Sequence, residues 1–68
     1  MKATCYSTIV EILYRKPGVE MAFEIPEEVD AVQFASIVEQ LERKPKVLIT
    51  SQDSESHPRT IKAVWDKK

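Results

Sequence analysis

Apolar residues alternate with polar ones along the first third of the chain. The even positions Tyr6, Thr8, Val10, Ile12 and Tyr14 form one stripe, and the odd positions Val19, Met21, Phe23 and Ile25 form a second. Both have the period of a β-strand. Lys16-Pro17-Gly18-Val19 lies between them and has turn chemistry. Antiparallel pairing around Pro17-Gly18 sets Tyr14 beside Met21, Ile12 beside Phe23 and Val10 beside Ile25, so the stripes share a face. A loop one residue longer would oppose the first stripe to Glu20, Ala22 and Glu24, so the pattern selects an even-numbered loop. Pro17-Gly18 suits a type II turn, and a four-residue loop of the same parity serves equally well.

Pro26 biases Ile25 toward an extended backbone and ends the second strand. Asp30 with Gln33 has the spacing of a capping box, and Val29 with Phe34 that of a hydrophobic staple. The stripe Phe34, Ile37, Val38 and Leu41, with Ala31 at its edge, predicts a helix over 31–43. Pro45 stops it. Residues 46–51 read as a third strand, 52–59 as a loop and 60–65 as a fourth strand. The expected order is β-β-α-β-β: a single α+β domain over 1–68, with a four-stranded, mainly antiparallel sheet and one helix packed on one face. The expected strand order is 2-1-3-4.

One helix covers one face of such a sheet. The first strand then turns Ile9, Glu11 and Leu13 away from the helix, and these residues are the candidate face for a protein partner or a second copy. Tyr6, Tyr14, Phe23 and Phe34 fall on the predicted core stripes and are expected inside.

Charge adds a second pattern. Short connections place Arg15, Lys16, Arg43, Lys44, Lys46, Lys67 and Lys68 at one end of the domain, and Glu24, Glu27, Glu28, Asp30, Asp53 and Glu55 at the other. Helix-dipole complementarity explains part of this, because acids stabilise a helix N-terminus and bases its C-terminus. Arg15, Lys16, Lys67 and Lys68 lie outside the predicted helix, which makes the basic end a candidate for phosphate contacts on a nucleic acid. The net charge of −1 supplies no whole-molecule attraction to phosphate, so any such binding must come from this clustering.

Composition narrows the classes. With 43% hydrophobic and 31% charged residues the chain is an ordinary globular mixture, and at this length a domain buries only about 60% of its unfolded surface. The one cysteine, Cys5, cannot form an internal disulfide, which fits a reducing cytoplasm. Neither export nor membrane insertion is expected, since the first residues contain no apolar run of signal-peptide length and no run is long enough to span a bilayer.

The candidate chemistry is thin. Asp53, Glu55 and His57 alternate and carry metal-binding donors, but structural zinc sites want four ligands and the chain has one His and one Cys. Cys5 lacks a sequence-linked base, and Ser54, Ser56 and His57 lack an orienting third group and oxyanion donors. Glu27 and Glu28 adjoin a helix start, where the dipole accounts for them. With Gly18 as the one glycine, neither a P-loop nor a dinucleotide-binding turn can be built. No catalytic residue, metal, nucleotide or other cofactor is expected. The sequence reads as a small, non-enzymatic protein-interaction module, an accessory regulator or inhibitor that acts as a homodimer or on a protein partner. A nucleic-acid-binding accessory protein is the alternative.

Overall fold

The structure, a computed structural model, describes residues 2–67. Its elements run α1 (Tyr6–Arg15), β1 (Met21–Ile25), α2 (Ala31–Glu42), β2 (Val47–Asp53) and β3 (Arg59–Trp65). The class is α+β and the sheet is antiparallel, but it has three strands and two helices in place of four strands and one helix.

The difference lies in residues 6–14, which form α1 instead of a strand. Their apolar residues satisfy two periods. Alternation selects Tyr6, Val10, Ile12 and Tyr14, whereas helical spacing selects Tyr6, Ile9, Val10 and Leu13. Ile9 and Leu13 fit only the second, and both are fully buried, with 0% exposure. Tyr6, Val10 and Ile12 flank them against the core, while Tyr14, expected inside, is 65% exposed. Glu11 lies on the solvent side and pairs with Arg15 at 2.6 Å, one turn along the helix. The expected partner face of Ile9, Glu11 and Leu13 is therefore corrected: two of its residues are core, and the third closes a local ion pair.

With α1 a helix, the 16–19 turn links helix to strand. Gly18 sits at φ +82°, a conformation that costs glycine nothing, and its N–H donates to the Trp65 carbonyl at 3.0 Å. The expected pairing of residues 6–14 with 19–25 is absent, and β1 pairs with β3 instead, Met21 opposite Ala63, Phe23 opposite Ile61 and Ile25 opposite Arg59. The sheet order is β1-β3-β2, which replaces the expected 2-1-3-4. Because β1 and β2 are both antiparallel to β3, they run parallel to each other, and α2 is the crossover between them.

The start of α2 follows its sequence signals. Asp30 accepts a hydrogen bond from the Gln33 N–H at 2.8 Å, satisfying one free donor of the first turn. Val29 is buried with Phe34, Ile37, Val38 and Leu41, and Arg43 caps the helix instead of extending it. β2 runs two residues further than expected and has an irregularity between Ile49 and Ser51, where the Thr50 hydroxyl donates to the Lys62 carbonyl at 3.2 Å. The His57-Pro58 peptide is cis.

Both helices lie on one side of the sheet, α1 against α2 and β3, and α2 against β2. Phe23, Ile25, Val47, Ile61 and Ala63 face them. The β1 edge is covered by the preceding chain, where Ala3 is buried and donates to the Glu24 carbonyl at 3.0 Å. β2 is bonded to β3 on one side only, so its other edge is open among the described residues. No helix among the described residues is long and apolar enough to cross a membrane.

Candidate functional site

Three surfaces carry the features from which a function can be argued. The first is the sheet face opposite the helices. Alternation along the strands turns Ala22, Glu24, Leu48, Thr60, Lys62 and Val64 outward, because their neighbours Phe23, Ile61 and Ala63 point into the core. Leu48 stands directly opposite Val64 and is 53% exposed. Ala22 faces Lys62 across the strands, and Thr60 lies between Glu24 and Asp53. The face thus has a small apolar step at one end, a lysine in the middle and carboxylates at the other. Outward alternation in residues 60–65 is legible in the sequence, but the four-stranded reading drew attention to Ile9 and Leu13 instead.

The second surface is the basic end. Helix α1 replaces a strand, yet it still exits into the 16–18 turn, so the charge sorting survives. Gly18 is bonded to Trp65 and abuts Lys67, the Asp66 N–H donates to the Lys46 carbonyl, and the Val47 N–H donates to the Lys44 carbonyl. These contacts gather Lys16, Lys44, Lys46 and Lys67 around the ends of α1, α2 and β3. Arg15 and Arg43 join them, each paired at 2.6 Å with a glutamate of its own helix, Glu11 and Glu39. Lys68 lies outside the described residues. Tyr14 meets Trp65 edge-to-face at 5.5 Å, which puts an exposed aromatic ring within the cluster. The strand period of residues 6–14 places Tyr14 in the core, so the sequence pattern does not reveal this ring.

At the opposite end the 26–30 connection meets the β2–β3 loop. His57 Nδ1 is 3.7 Å from Glu27 Oε1, an ion pair only when the imidazole is protonated. Asp53 accepts from the N–H groups of Glu55 and Ser56, both at 3.0 Å, so its carboxylate shapes the loop. Asp53, Glu55 and His57 do not form a metal-binding group.

The third surface is a groove of about 400 Å³ between α2 and the β2–β3 hairpin. Ala31, Phe34, Ala35 and Val38 supply its apolar wall, with Glu39 and Glu42 farther along the helix. Gln52, Ser54 and Arg59 close the hairpin side. Arg59 is already engaged: Nη1 donates to the Val29 carbonyl at 3.1 Å, Nε donates to the Ser54 carbonyl at 3.2 Å, and the guanidinium lies 5.9 Å from the Phe34 ring centre. It holds the loop to the helix start. Nothing in the sequence pattern marks this role, which joins residues 30 positions apart.

Cys5 occupies the N-cap position of α1 and is exposed. Its sulfur lies 3.2 Å from both the Ser7 and the Thr8 hydroxyls. Those hydroxyls favour the thiolate, Ser7 most, and pull the thiol down to about 7 from an ordinary value of 9.0. Among the described residues no hydrogen bond or ion pair brings a base to the thiol, and His57 faces Glu27.

No protein-family model, curated protein or solved structure matches this chain.

Proposed function

We propose that the chain is a small non-enzymatic protein-interaction module, an accessory regulator or inhibitor of a partner protein, that pairs with a second copy through its uncovered sheet face. The observation that carries this reading is the one-sided cover of the sheet: both helices pack on the same face, leaving Leu48 and Val64 side by side on the other. Lys62 beside the Glu24 and Asp53 row gives that face charges of both signs, which suits it to a two-fold contact with itself. The test is solution mass by light scattering. A dimer is expected, and Leu48→Glu should convert it to a folded monomer. A wild-type monomer, or a Leu48→Glu dimer of unchanged affinity, would refute the sheet-face contact.

The exposed Tyr14 ring beside Trp65, whose carbonyl binds the Gly18 N–H where Lys67 packs, favours a second reading as a nucleic-acid-binding accessory protein. Aromatic rings next to lysines are the elements of a stacking platform for single strands. This reading requires affinity for a short single-stranded oligonucleotide that falls steeply with salt and weakens in both Tyr14→Ala and Lys16→Glu/Lys44→Glu. Absence of binding at low salt eliminates it.

A further inference from the structure

We draw no further inference here: the strongest candidate, the groove between α2 and the β2–β3 hairpin, is lined by both Arg59 and Glu42, with Glu39 already paired to Arg43, and nothing in the structure shows what covers it.

Discussion

At the scale of single residues, two positions at helix starts have measurable consequences. Cys5 lies within reach of the Ser7 and Thr8 hydroxyls, and its thiol is pulled down to about 7. Its alkylation rate by iodoacetamide should reach half its maximum near that pH, and Ser7→Ala/Thr8→Val should move the midpoint back toward 9.0. A wild-type midpoint at the ordinary thiol value would contradict the contacts. The linkage has a definite sign. Because the folded value is depressed, the thiolate's contribution to stability is complete above the unfolded value of 9.0 and is lost as pH falls through about 7. Melting temperature should therefore rise across that window in the wild type and not in Cys5→Ala. Asp30 does the equivalent for α2 through its bond to the Gln33 N–H. Asp30→Ala should cost about 1 kcal/mol, a drop of about 4–8 °C in melting temperature for a domain of this size. An unchanged melting curve would mean that water replaces the cap without loss.

Elements are where sequence and structure part company, and the reason is specific. Helix α2 was legible because its signals agree: Asp30 and Gln33 at the start, one apolar stripe at a single period, and Pro45 beyond the end. Residues 6–14 carry apolar groups at both periods, and their Ile, Val, Thr and Tyr content favours a strand on local propensity. Burial of Ile9 and Leu13 against α2 and the sheet overrides that preference. The two readings assign opposite fates to adjacent residues, so one pair of variants separates them. Leu13→Ala should destabilise by about 2–5 kcal/mol in urea denaturation, because it empties a fully enclosed position. Tyr14→Ala should cost about 1 kcal/mol, chiefly the edge-to-face contact with Trp65. The reverse ranking would restore the hairpin. The neighbouring of β2 and β3 was legible, but the place of β1 was not, because β1 joins β3 through contacts distant in sequence such as Phe23 with Ile61. The candidate sites inherited both outcomes. The described basic residues still cluster because their placement depends on chain direction and short connections, whereas Ile9 and Leu13 lie in the core because the expected partner face depended on the period assigned to residues 6–14.

Across the whole molecule, a three-stranded sheet with one strand bonded on both sides sets a gradient of stability. β3 is the inner strand, and Ile61 and Ala63 on it are fully buried. Opening β3 exposes the core to which α1, α2 and both outer strands contribute, so its amides should exchange only through global unfolding. β2 shares one side with β3, is interrupted at Thr50, and is mostly exposed from Thr50 to Asp53. Its outward amides should exchange orders of magnitude faster, and those of β1 beside Ala3 should fall between. Native-state hydrogen exchange measures this ranking directly. Equal protection in all three strands would mean that the β2 edge is covered in solution, by a second copy or by the chain itself. With β3 slow and β2 fast, the open edge costs the core little to maintain.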